Sequence, residues 1–184
     1  LGGATAADLR DMIYGGAGND SIDGGYGNDD LRGDDGNDTI EGGFGADTVV
    51  GGAGNDQLSG SAWSDLIFGN DGDDFLNGGF GNDRESGGAG ADRFYHLGVV
   101  GHGADWVQDY AAAEGDRLAF GNTAATRDQF QINWAATPGA GDGAVQEAFV
   151  VYRPTGQVIW ALVDGAAQEH IWLQVGTSTY DLLH

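Results

Sequence analysis

Residues 15–95 run in an unbroken frame of nine. GGAGNDSID from Gly15 is followed by GGYGNDDLR from Gly24, GDDGNDTIE from Gly33, GGFGADTVV from Gly42 and GGAGNDQLS from Gly51. GSAWSDLIF from Gly60, GNDGDDFLN from Gly69, GGFGNDRES from Gly78 and GGAGADRFY from Gly87 complete the series. AADLRDMIY, from Ala6, fits the frame weakly through Asp11 and Ile13. No residue is inserted or lost, and so fixed a period restricts the chain to units that stack on their neighbours.

Each position in the unit has its own chemistry. The sixth is always Asp: Asp20, Asp29, Asp38, Asp47, Asp56, Asp65, Asp74, Asp83 and Asp92. The eighth is apolar except at Glu85. A three-residue strand with only its middle side chain inward gives that pattern. Glycines at positions one, two and four permit positive φ and let carbonyls face a common point. Carbonyl oxygens with a carboxylate form a hard-oxygen site suited to calcium.

The pattern GGxGxDxUx, with U a large apolar residue, resembles the RTX calcium-binding repeat of proteins exported by bacterial type I systems. The resemblance covers about half the chain. It implies an all-β fold, a right-handed parallel β-roll in which two repeats make one coil. It also implies a calcium ion between turns 18 residues apart, bound by carbonyls and Asp carboxylates from both. By that rule Gly16, Gly18 and Asp20 share an ion with Gly33, Asp35 and Asp38. Gly25, Gly27 and Asp29 share one with Gly42, Phe44 and Asp47. Gly36 and Asp38 pair with Gly51, Ala53 and Asp56; Gly43, Gly45 and Asp47 pair with Gly60, Ala62 and Asp65. Gly52, Gly54 and Asp56 pair with Gly69, Asp71 and Asp74. Asp65 joins Asp83, and Gly72 with Asp74 joins Gly87, Ala89 and Asp92. Seven bridging sites result, within a range of about five to eight ions.

Departures from the pattern mark weak points. Asp34 and Asn70 replace glycine at position two, and both residue types tolerate left-handed backbone. Ser61 and Trp63, at positions two and four, do not, so the site needing their carbonyls is the one expected to stay empty. Glu85 at an inward position is resisted by a closed roll and is expected to mark where the roll opens onto the next domain.

Charge supports the metal reading. The chain carries a formal net charge of -22, and residues 1–95 hold 19 acidic and 4 basic side chains. Without metal, that repulsion and the thin apolar content predict disorder; seven divalent ions would nearly cancel it. A flexible Gly-Asp linker would not keep the spacing. The same charge disfavours nucleic-acid binding. There is no cysteine, hence no disulfide, and no apolar run long enough to span a membrane. These features point to a secreted, extracellular protein held by ions. A start at Leu1 without Met, and without a cleavable signal, reads as a fragment whose catalytic domain (protease, lipase or epimerase) lies upstream.

After Tyr95 glycine thins and Trp106, Trp134, Trp160 and Trp172 appear. GADWVQDYAAAEGDRLAF, from Gly103, resembles the segment that closes the roll in serralysin-type secreted proteases, and Asp105, Asp109 and Asp116 are candidates for a last calcium. AFVVYR and QVIWALVD around Pro154-Thr155-Gly156 predict a hairpin. HIWLQV and the final segment supply two more strands. The expected organisation is a roll over residues 1–95, with clear repeats over 15–95, and an antiparallel β cap over 96–184. Tyr180-Asp181-Leu182-Leu183 resembles the acidic-then-apolar ending of type I secretion substrates, so the secretion apparatus is an expected partner.

No HExxH and no GxSxG is present, and the carboxylates are committed to turns, so the chain is read as non-catalytic. His96 and His102 read as satisfied or exposed rather than as ligands. An alternative class is a carbohydrate-binding or adhesin module using the aromatic ladder Tyr26, Phe44 and Phe80, spaced 18 apart with Ala62 in the gap.

Overall fold

A computed structural model describes residues 10–184; Ala6–Leu9 of the weakest repeat lie outside it. Ten strands carry the repeat region: β1 (Met12–Ala17), β2 (Ser21–Asp23), β3 (Asp30–Asp35), β4 (Thr39–Phe44), β5 (Thr48–Ala53), β6 (Gln57–Ala62), β7 (Leu66–Asp71), β8 (Phe75–Phe80), β9 (Arg84–Ala89) and β10 (Arg93–His96). Seven follow: β11 (Asp105–Val107), β12 (Arg117–Phe120), β13 (Phe130–Ala135), β14 (Glu147–Tyr152), β15 (Gln157–Leu162), β16 (Trp172–Val175) and β17 (Ser178–Asp181).

Alternate repeats fall in alternate sheets. One sheet runs β1-β3-β5-β7-β9-β11-β15-β14-β13 and the other β17-β16-β12-β10-β8-β6-β4-β2. Within the roll every neighbour is parallel and offset by 18 residues, as in Leu31↔Val49 and Ile40↔Leu58. Most strands have six residues rather than three, because positions two and three of the following turn keep pairing, as in Asp34↔Gly52. The inward eighth residues form two facing columns. Leu31, Val49 and Ile67 lie in one, and Ile40, Leu58, Leu76 and Phe94 in the other, all essentially without solvent exposure. One apolar side chain per strand suffices because the strand above and below covers it.

The parallel stacks do not stop with the repeats. β11 pairs in parallel with β9, and β12 with β10. β15 and β16 add a further parallel layer, with Val107↔Leu162 and Leu118↔Leu173 prolonging the core columns. Only then does the chain turn antiparallel, in β13-β14-β15 and β16-β17. The cap is therefore antiparallel at its outer edge and parallel where it meets the roll. Unpaired edge groups on the last repeat strands need partners, and parallel strands continue the same ladder. Glu85 accordingly sits where the roll meets the next segment, inside a stack that continues through its partner Val107.

Candidate calcium sites in the turns

The turns hold two columns of aspartates. Asp11, Asp29, Asp47, Asp65, Asp83 and Asp105 form one; Asp20, Asp38, Asp56, Asp74, Asp92 and Asp116 form the other. Within the repeats each Asp backbone N–H donates to Oδ1 of the Asp one coil further on, for example Asp20 N to Asp38 Oδ1 and Asp38 N to Asp56 Oδ1, both at 2.8 Å. Asp83 N reaches Asp105 Oδ1 at 3.3 Å and Asp92 N reaches Asp116 Oδ1 at 2.9 Å. That bond occupies one carboxylate oxygen. The other, Oδ2, is buried with no hydrogen-bond partner among the described residues in Asp20, Asp29, Asp38, Asp47, Asp56, Asp65, Asp74, Asp83, Asp92 and Asp105.

Backbone carbonyls gather around those free oxygens. A methyl group on Gly15 would stand 2.6 Å from Asp20 Oδ2 and 2.8 Å from Gly33 O, and one on Gly42 would stand equally close to Asp47 Oδ2 and Gly60 O. Position one is thus glycine for lack of space; positive φ belongs to positions two and four, as in Gly16 and Gly18. The carbonyls at positions two and four face forward onto the next coil: Gly25 O onto Gly43 and Gly18 O onto Gly36. The position-one carbonyl of the next coil thus lies beside the free Asp oxygen, while the position-three carbonyls named from the sequence, such as Asp35 O and Phe44 O, accept the amides of Gly18 and Gly27. Buried carboxylate oxygens without partners, flanked by carbonyls, are what a hard cation such as calcium fits.

Electrostatics agree. Burial pushes the carboxyls of Asp65 and Asp74 up to about 7 and those of Asp47 and Asp92 to about 6, against the partial relief of the backbone N–H bond. Asp56 is shifted the same way for the same reason. Charged carboxylates in these places need a nearby positive charge, and among the described residues the one ion pair with an arginine, Arg32 with Asp30, lies outside both columns.

The family profile of the RTX calcium-binding nonapeptide repeat matches residues 5–40, 32–62, 51–85 and 59–94. Residues 5–94 belong to the RTX calcium-binding repeat family. RTX repeats bind calcium. No curated protein matches the chain. Among solved structures the chain is similar to the extracellular lipase LipA from Serratia marcescens, at 17% identity and a TM-score of 0.33, over 88% of this chain and 38% of that one. The chain thus spans well under half the length of that lipase.

Two RTX-like turns escaped the frame of nine. Residues 100–108, VGHGADWVQ, repeat the pattern after a four-residue shift and place Asp105 in one column. Residues 111–119 then place Asp116 in the other. The signal was GxGxDxU at 101–107, hidden by the shift. Asp109 accepts from Ser86 Oγ and the Gly87 and Gly88 amides. His96 and His102, read as satisfied or exposed, are both buried, and His102 Nδ1 has no partner among the described residues.

At the irregular RTX turn the backbone keeps the glycine pattern. Ser61 (φ 79°) and Trp63 (φ 92°) adopt it despite their side chains, and their carbonyls face Gly79 and Gly81 as elsewhere. The departure appears as strain instead of lost geometry. The Trp63 side chain is 67% exposed, so little packing holds it. Trp63→Gly is expected to raise the thermal midpoint of the calcium-loaded chain, relieving about 1–3 kcal/mol; an unchanged or lower midpoint contradicts this.

The aromatic ladder forms only in part. Tyr26 stacks flat on Phe44 at 5.0 Å, while Phe80 lies against His102 at 4.9 Å, across the gap left by Ala62. All three rings stay exposed, Tyr26 at 45%, Phe44 at 55% and Phe80 at 53%.

Proposed function

We propose that residues 10–184 form a calcium-triggered folding module of an exported protein. The observation that carries this reading is the pair of aspartate columns with unpartnered, buried Oδ2 atoms. Each interior Asp then serves two ions, and the ligand sets are those given by the repeat positions, with Asp105 and Asp116 extending both columns. Where calcium is scarce, repulsion keeps the chain open; at millimolar calcium outside the cell, ion binding supplies the folding free energy.

Export fits the same logic. In the folded chain Leu182 is buried, Arg127 donates to the carbonyls of Asp181 and Leu182, and Asp181 accepts from the Leu183 amide. An export signal at Tyr180–Leu183 is therefore readable only before folding, which the ion-free state provides. The expected partner is a type I secretion apparatus, the location extracellular, and the catalytic activity that of another domain. Among the described residues no helix is long and apolar enough to cross a membrane.

Far-ultraviolet circular dichroism is expected to show disorder in chelator and β-structure in millimolar calcium. Magnesium is expected to substitute poorly, because it demands tight octahedral geometry and sheds water reluctantly. Equal β content with and without calcium would sink the reading.

A further inference from the structure

The junction between roll and cap holds a polar cluster that the repeat pattern does not explain. Glu85 occupies the eighth position, where every other repeat has an apolar residue. Its side chain is fully buried and both carboxylate oxygens lack a partner among the described residues. It follows Asp83 by two residues on the inward face of β9, and Asp105 stacks on Asp83 from the next coil. Asp83 Oδ2 and Asp105 Oδ2 are also unpartnered and buried. His96 and His102 stand beside Asp105, the ligand atoms of these three lying within 4.8 Å of one another.

The backbone is altered at this turn. In the repeats the amide at position three bonds the position-two carbonyl of the previous coil, as Phe44 N to Gly25 O at 2.8 Å. The four-residue shift diverts the equivalent His102 amide to Val99 O at 3.2 Å. The other half of the turn is kept, with Gly81 N donating to His102 O at 2.9 Å. Gly103 O is fixed by Gln157 Nε2 of the cap at 2.8 Å.

The imidazoles narrow the choice of ion. Gly98 N–H donates to His96 Nδ1 at 2.9 Å, so Nδ1 carries no proton. The ring's proton therefore resides on Nε2, 3.3 Å from Gly103 O. A ring so protonated is a donor and not a metal ligand. Among the described residues that leaves one buried imidazole nitrogen without a partner, His102 Nδ1, against four such carboxylate oxygens. An oxygen-dominated set selects calcium over zinc.

We infer that Glu85 is a third carboxylate ligand of a calcium ion held between Asp83 and Asp105, standing in where the shifted turn disturbs the backbone cradle. This rests on the calcium reading of the columns and adds a side-chain ligand to the ion that roll and cap share through Asp83 and Asp105. Two substitutions in the full chain test it. Glu85→Gln keeps the shape and removes the charge; Glu85→Leu restores the apolar residue of the other repeats. Ions bound are counted by equilibrium dialysis with calcium, and folding is followed by circular dichroism.

Both variants are expected to bind one ion fewer and to fold at higher calcium than the parent. If Glu85→Leu folds at lower calcium with the full number of ions, Glu85 is only a misfit in the core and the inference fails. Should Glu85→Leu not fold, Glu85→Gln decides: an unchanged ion count overturns the assignment. Zinc taken up at one equivalent by the calcium-loaded chain, and lost in His102→Ala, also overturns it. A parent chain indifferent to calcium would instead refute the general reading, which keeps the two failures distinct.

Discussion

A chain ending at Tyr95 is expected to remain disordered at calcium concentrations that fold residues 1–184. The cut removes Asp105 and Asp116, whose Oδ1 atoms accept the Asp83 and Asp92 amides. Exchanging each such bond for one to water costs about 0.5–1.5 kcal/mol. It also strips β11 from β9 and β12 from β10, uncovering Phe94, which pairs with Leu118 and is fully buried. Exposing such a side chain costs about 1.5–3 kcal/mol more. In a stack held by nearest neighbours, weakness at one end spreads inward. An unrelated soluble domain fused after Tyr95 is not expected to rescue folding, because it offers neither the aspartates nor the register. A calcium titration followed by circular dichroism checks this; a truncated chain that folds at an unchanged midpoint shows that the cap is not needed to start the roll.

Asp56→Ala is expected to raise the calcium midpoint far more than Asp20→Ala. Asp56 Oδ1 accepts the Asp38 amide, and its own amide donates to Asp74 Oδ1. Under the proposed pairing it touches two ions, one shared with each neighbour. Asp20 stands at the start of its column, is less buried, and gives its amide to Asp38. Its replacement forfeits one ion and leaves that backbone bond in place. The Asp56 variant forfeits two and orphans the Asp38 amide, a further cost of about 1–3 kcal/mol. A larger midpoint shift for Asp20→Ala would show that the ions do not bridge successive coils.

The roll was legible in the sequence because its interactions repeat. A fixed period places residue n beside residue n + 18, so one strand register implies all the others, and a single inward position names the core. Leu31, Val49, Ile67 and the aspartate columns follow from that alone. Outside the frame of nine, reading became partial. The hairpin about Pro154–Gly156 was visible as two β-rich runs around a turn, and it forms between β14 and β15. That β11, β12, β15 and β16 continue the parallel stacks was not, since non-periodic strands carry no mark of their partner.

Tertiary structure alone decided the junction. In sequence His96, His102, Glu85 and Asp105 are scattered polar residues, and His102 and Asp105 stand four places out of frame. Folding absorbs the shift in the irregular segment between β10 and β11, which returns Asp105 to the column above Asp83. It also buries His96 against His102 and Trp160. The sequence by itself determined the period, the inward residues and the oxygen-rich turns, because those rest on local spacing. Which polar groups meet where the period fails depends on how an inserted loop closes over a core, and that is fixed only when both sheets and the cap are in place.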